Sequence, residues 1–182
     1  MKLNYLQIYF LVFLISLLPK IVLIIYFPSI IEGNDQEFYL RVARNILSGC
    51  GIAGDPNLSS CNPTSMGSKM PGYPILIAFI MLLSDSSYFF LKAFNALFIS
   101  FSIVYFLQAL KNIVKSRFSL FIIGFILAVS PITFAWSRFI LTETVSVSLT
   151  LLIFADLFQF MYNKKFNIIR ISIFLIIATF VR

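Results

Sequence analysis

The sequence predicts an all-α integral membrane protein of about five transmembrane helices, with amphipathic surface helices in its first outer loop. Three observations carry that expectation. Of the 182 residues, 60% are hydrophobic and only 12% are charged, whereas a soluble domain needs roughly a quarter charged residues to cover its surface. Apolar runs recur that approach or exceed the length needed to cross the hydrocarbon, about 20 residues in a helix. The cations behind the net charge of +7 stand in short loops between those runs, which is the positive-inside pattern and argues against nucleic acid as a partner.

The first run extends from Leu6 to about Pro28. It is too long for a signal h-region and has no small-residue cleavage site, so it reads as a retained signal anchor. Pro19 and Lys20 interrupt it. A charge this far inside costs about 2.5–3.5 kcal/mol on insertion scales, so Lys20 is expected to snorkel to the nearer end or to face a polar cavity.

A polar interval from Gly33 to Pro74 follows, and with the flanking Glu32 and Asp85 it holds five of the chain's seven acids. Its first part opens with Asn34 and has Glu37 three positions on, a capping-box variant. Tyr39, Val42, Ala43, Ile46 and Leu47 then share one helical face, with Arg41, Arg44 and Asn45 on another. That spacing predicts a helix lying on a membrane surface and stopped at Ser48-Gly49. The interval closes with Lys69-Met70-Pro71-Gly72-Tyr73-Pro74, a turn whose prolines restrict the backbone. Cys50 and Cys61 lie in the Gly/Ser/Asn/Pro-rich loop between, and the chain has no His. A zinc site cannot be built from these residues. A disulfide in an oxidising compartment and two unpaired thiols are both open readings.

Ile75 to Ser84 is apolar but only about 15 Å long as a helix, so it reads as a re-entrant or surface helix. Tyr88 to Leu110 spans, with Lys92 and Gln108 near its ends, and Lys111, Lys115 and Arg117 form a basic loop. Phe118 to about Pro131 begins a further span that closes through Thr133, Trp136, Ser137 and Arg138, with Trp136 as an interface anchor. Leu141 to Tyr162 spans back. Thr142-Glu143 starts it, and Asp156 in its far third is expected to pair with Lys111, Gln108 or Gln159. Asn163 to Arg170 is a second basic loop, and a last run from near Phe166 through Val181 reaches Arg182.

If 75–84 does not cross, Lys2 and both basic loops share the cytoplasmic side. The protein is then multi-pass in the cytoplasmic (inner or plasma) membrane, with its N-terminus inside and its first loop outside. A six-span arrangement with 75–84 crossing would also keep the basic loops inside. No repeat or boundary divides the chain, so 1–182 reads as a single membrane domain.

The outer side then gathers Asp35, Glu37, Tyr39, Lys69, Tyr73, Arg138, Glu143 and Arg182. Carboxylates and cations beside a membrane suit a reaction between a lipid-borne anion and a hydroxyl or amine acceptor. A base accepts the acceptor's proton, and cations stabilise the charge developing on the departing phosphate.

Asp35, Tyr39, Ala43, Leu47, Gly49 and Gly51, followed by Lys69-x-Pro71-Gly72-Tyr73-Pro74, resemble the first extracytoplasmic loop of GT-C glycosyltransferases. The likeness is to the branch that contains protein O-mannosyltransferases and the lipid A aminoarabinose transferase. Ser130-Pro131 and Leu141-Thr142-Glu143 look like that branch's span-turn-span segment, and Thr179-Phe180-Val181-Arg182 resembles the end of its fifth span. The resemblance implies the N-terminal part of a longer transmembrane glycosyltransferase domain. Such an enzyme moves a sugar from a polyprenyl-phosphate-linked donor, within the membrane lipid, to a glycan, lipid or protein acceptor outside the cytoplasmic membrane.

By the same resemblance Asp35 is the catalytic base, Glu143 a second catalytic carboxylate and Lys69 the contact to the lipid phosphate. Tyr39, Tyr73, Arg138 and Arg182 are substrate-binding. No cofactor is implied. Several relatives have adjacent acids where Gln36 here separates Asp35 from Glu37, so the sequence gives no support for a divalent metal. Lys69 stands where many have Arg, keeping the charge without the bidentate fork.

Other readings compete. Asp35 and Glu143 could serve only as first-turn helix acids, and Arg138 and Arg182 as headgroup anchors. The whole chain could be a truncated, non-catalytic membrane subunit or fragment. A small transporter would instead place its functional polar residues at the midplane.

Overall fold

Polar punctuation sets the helix ends in the computed structural model, which describes residues 4–27, 34–52, 70–84, 87–163 and 168–181. Helix α1 (Tyr5–Tyr26) begins at Asn4, whose side chain accepts from the Gln7 amide at 2.8 Å while the Gln7 side chain accepts from the Asn4 amide at 2.9 Å. This capping box satisfies two amides that a helix start leaves orphaned. Helix α2 (Asn34–Leu47) stops before Gly49, whose φ of 81° is in the left-handed region that favours glycine. Then come α3 (Gly72–Leu83), α4 (Tyr88–Leu110), α5 (Arg117–Val129), α6 (Pro131–Phe134), a 3-10 turn at Trp136–Arg138, α7 (Thr142–Asn163) and α8 (Ile168–Val181).

Among the described residues every regular element is helical. Three stretches, Tyr5–Tyr26, Tyr88–Leu110 and Thr142–Tyr162, are long and apolar enough to cross a membrane, and this is a membrane protein. The apolar helices α3, α5 and α8 are shorter. Readings placed on Lys69, Cys61 and Arg182, and on the side chains of Asn34 and Arg138, lie outside the described residues. Cys50 is disulfide-bonded.

The break between α5 and α6 explains the lysine inside α1. Leu127 has its carbonyl where residue 131 would donate, but Pro131 has no N–H. The Thr133 hydroxyl donates to that carbonyl instead. The next carbonyl, of Ala128, accepts from Lys20 Nζ at 3.4 Å. Lys20 also donates to the carbonyl of Ser16 at 2.6 Å and to its hydroxyl at 2.8 Å, and that hydroxyl is bonded to Ser100 at 2.8 Å. Lys20 is 0% exposed. The expectation of snorkelling or of a polar cavity is therefore corrected. The three N–H groups of the ammonium have acceptors inside the bundle, where backbone groups freed by the break have no water to turn to.

Two apolar cores result. One joins Ile8 and Val12 of α1 to Ile99, Ile103 and Leu107 of α4 and Leu120 of α5. Gly124 permits this approach, since a Cβ there would stand 2.6 Å from Leu107 Cδ1 and 2.9 Å from Val12 Cγ2. The other core joins Tyr39, Leu40 and Ala43 of α2 to Tyr73, Ile77 and Met81 of α3, with Ile140 and Val145 beside them. The apolar face of α2 is thus covered by protein, chiefly by α3, rather than left open to lipid. Asn45 is buried and Leu47 exposed, the reverse of their expected faces.

Asp156 is buried, as expected, but with different partners. Arg170 of α8 clasps it, Nε to Oδ2 at 2.7 Å and Nη2 to Oδ1 at 2.6 Å, and the Tyr105 hydroxyl donates to Oδ1 at 2.9 Å. The return of α8 along α7 brings Asp156 and Arg170 level, and so displaces Lys111, Gln108 and Gln159 as partners. At that end of the bundle Lys111 Nζ and Arg117 Cζ lie 4.6 Å and 4.9 Å from the Tyr5 ring centre. The starts of α2, α3 and α7 meet at the opposite end.

Candidate functional site

Gln36 holds the opposite end together. It is 3% exposed, and its Oε1 accepts from the Ile140 amide at 3.0 Å. Ile140 lies in the short link before α7, so this side chain replaces a partner that regular structure does not supply. Asp35 and Glu37 flank Gln36 in the first turn of α2, and both are exposed. Glu143, three residues beyond Ile140, is exposed in the first turn of α7. One buried hydrogen bond therefore ties the helix start that bears Asp35 to the link that leads into Glu143. Both carboxylates stand in the first turn of their helices, at the positive ends of the helix dipoles.

One turn further along α2, the Tyr39 ring stands edge-on to Tyr73, centroids 5.2 Å apart and planes at 89°. Such a pair contributes about 0.5–1.5 kcal/mol beyond burial. Asn95 of α4 donates to the Phe139 carbonyl at 3.1 Å and reaches the Tyr73 hydroxyl at 3.4 Å. Burial pushes the Tyr73 hydroxyl well above the ordinary phenol value. The Asn95 bond opposes that shift, and the fields of Tyr39 and Glu143 add to it. Tyr73 is thus an uncharged strut. Beside it a Cβ on Gly72 would collide with the Phe180 carbonyl, so the Pro71-Gly72 turn lies directly on the last turn of α8.

Glu143 also lines a cleft of about 470 Å³ with Ile132, Trp136, Thr142, Ser146, Val147 and Thr150. Glu143, Ser146 and Thr150 fall at i, i+3 and i+7, a stripe along one face of α7. The Ser146 hydroxyl is buried and has no hydrogen-bond partner among the described residues. Thr142 reaches the Glu143 carboxylate only at 3.5 Å. An aromatic face, a carboxylate and hydroxyls converging on one cleft suit a small polyhydroxylated ligand, which offers an apolar face to stack and hydroxyls to bond.

The structure brings Asp35 and Glu143 to one end of the bundle. Tyr39 and Tyr73, 7% and 2% exposed, are packed beneath that end and hold α2 on α3 rather than lining an open cavity. Arg138 belongs to the 3-10 turn next to the cleft residue Trp136. Among the described residues no three His, Cys, Asp or Glu side chains group to hold a metal ion.

Gln36, Asn95, Ser146 and Thr150 were not singled out from the sequence. Gln36 shares the register of Tyr39, Leu40 and Ala43, and Ser146 and Thr150 share that of Glu143, so the signal was a helical period. Asn95 carried only the general signal of a polar residue inside a span.

Fold and site define a class, an all-helical membrane protein with a carboxylate-bearing polar cleft at one end of its bundle. No known protein family, curated protein or solved structure matches the chain.

Proposed function

We propose that the chain is part of a membrane glycosyltransferase of the GT-C type. It transfers a sugar from a polyprenyl-phosphate-linked donor to a glycan, lipid or protein acceptor on the outer side of the cytoplasmic membrane. The observation that carries the reading is the Gln36–Ile140 hydrogen bond, because it ties the helix start that bears Asp35 to the link leading into Glu143, which lines the Trp136 cleft.

In this reading the sugar ring occupies the cleft against Trp136, with Glu143, Ser146 and Thr150 bonding its hydroxyls. The acceptor oxygen attacks the anomeric carbon and its proton passes to the Asp35 carboxylate. The bond from that carbon to the phosphate oxygen breaks, and polyprenyl phosphate leaves with the electron pair. Lys69, Arg138 and Arg182 are the cations assigned to the phosphate. The segment from α5 through the 3-10 turn and the segment around α8 complete five spans. The basic loops face the cytoplasm.

Transport would call for available polar groups near the middle of a span, yet the Lys20 donors are all bonded to Ser16 and Ala128. A non-catalytic subunit is separated by experiment. Protein purified into lipid nanodiscs is given a radiolabelled polyprenyl-phosphate hexose, and release of polyprenyl phosphate and labelling of acceptor are followed. Asp35→Asn is expected to lower turnover by about 10²–10⁴-fold with the melting temperature unchanged. Undiminished turnover in that variant would remove Asp35 from the mechanism, and no turnover by the unaltered chain would favour the non-catalytic subunit.

A further inference from the structure

The basic end of the bundle has a cavity of its own, of about 400 Å³, lined by Tyr9, Gln108, Lys111, Asn112 and Gln159. That volume lies in the range of small-ligand pockets. Among the described residues its lining is made of hydrogen-bond donors, with three amides, one ammonium and one phenol and no carboxylate. The Tyr9 hydroxyl is buried without a hydrogen-bond partner among the described residues, a state that an incoming acceptor would relieve.

Charge on this half of the chain points the same way. Lys111, Lys115 and Arg117, between α4 and the start of α5, and Arg170 of α8 stand at this end, against Asp156 as its acid among the described residues. Asp156 is already held by Arg170 and Tyr105. The carboxyl ends of α4 and α7 add partial negative charge here, and the cations outweigh it.

We propose that this cavity binds the phosphate of an anionic phospholipid headgroup, donated to by Tyr9, Lys111 and the three amides. The mouth favours a lipid over free phosphate as the source. Ile113, which follows Asn112, and Met161, two residues from Gln159, are exposed apolar side chains, so acyl chains would find apolar surface beside a bound phosphate. The site is separate from the carboxylate cleft and does not depend on the transferase reading.

The test uses the full chain, purified in detergent and stripped of lipid. It is titrated with dioctanoyl phosphatidylglycerol, dioctanoyl phosphatidylcholine and inorganic phosphate, with thermal stability as the readout. Phosphatidylglycerol is expected to raise the melting temperature saturably and phosphatidylcholine to leave it unchanged. Lys111→Gln and Tyr9→Phe should each weaken the phosphatidylglycerol midpoint roughly fivefold. Should either variant fold poorly, Asn112→Asp, on the loop after α4, brings a repelling charge and is expected to weaken it as well. Equal shifts with phosphatidylcholine, or a midpoint that no variant moves, would overturn the site. An equal shift with inorganic phosphate would overturn the lipid as its source.

Discussion

Helix α7 carries one carboxylate in its first turn and another two turns before its end, and the structure treats them in opposite ways. Asp156 is buried, clasped by the Arg170 guanidinium and bonded by Tyr105, so its acceptor sites are spent on neighbours. Glu143 is exposed at a polar cleft, and Thr142 reaches it only at 3.5 Å. A desolvated carboxylate must be paired or it is costly, which makes Asp156 part of the scaffold. A carboxylate left accessible beside an unsatisfied hydroxyl retains capacity for a ligand. In a chain with few acids, burial and partners therefore distinguish an acid that is spent on the scaffold from one that stays accessible, and the proposed function rests on the accessible one.

The comparison can be broken most forcefully from the Asp156 side. Asp156→Ala leaves Arg170 without its partner at the junction of α4, α7 and α8, which for a fully buried pair costs about 3–5 kcal/mol. Arg170 is 40% exposed, so solvent screening reduces the expectation to about 2–3 kcal/mol. Reversible unfolding in mixed micelles measures it, and a loss below about 0.5 kcal/mol would show the clasp to be incidental.

A smaller loss is expected at the other end. Gln36→Ala orphans the buried Ile140 amide and should cost about 1–2 kcal/mol. It should also loosen the start of α2, read as faster hydrogen exchange in residues 34–40. Exchange unchanged there would mean that α2 is held by its apolar face alone.

The smallest effect is at Tyr73. Its hydroxyl titrates above the ordinary phenol value because it is buried. Stability from this group is therefore intact below pH about 10. It is lost as pH rises further, because the unfolded tyrosine ionises while the folded one keeps its proton. Tyr73→Phe should differ little at neutral pH and should flatten the alkaline decline of the melting temperature. An identical decline in both proteins would assign it to other groups.

Local signals were legible in the sequence. The bounds of α4 agree with the expected Tyr88 to Leu110, and α1 and α7 begin within one residue of expectation, because apolar length and polar punctuation are properties of the chain itself. The stop at Gly49 was legible as a glycine following an amphipathic run. Partnerships across helices were not. Lys20 was expected to snorkel or to face a polar cavity, yet its acceptors come from Ser16 in its own helix and from the break at Pro131 more than a hundred residues later. Asp156 lies seven residues before the end of α7 and Arg170 two residues after the start of α8, so spacing about the loop alone did not pair them. Of the candidate site, Asp35 and Glu143 were legible as outer-side acids and through the family resemblance, whereas Gln36 was taken only as a spacer between acids. Its role depends on the Ile140 amide in a distant link.

The most direct measurement compares turnover per folded molecule with melting temperature in two variants of the same helix, Glu143→Gln and Asp156→Asn, using the labelled polyprenyl-phosphate hexose. The account predicts that Glu143→Gln loses about 10²-fold or more in turnover while its melting temperature holds. It predicts that Asp156→Asn melts earlier while its folded fraction turns over normally. Normal turnover in Glu143→Gln, with loss confined to Asp156→Asn, would contradict it.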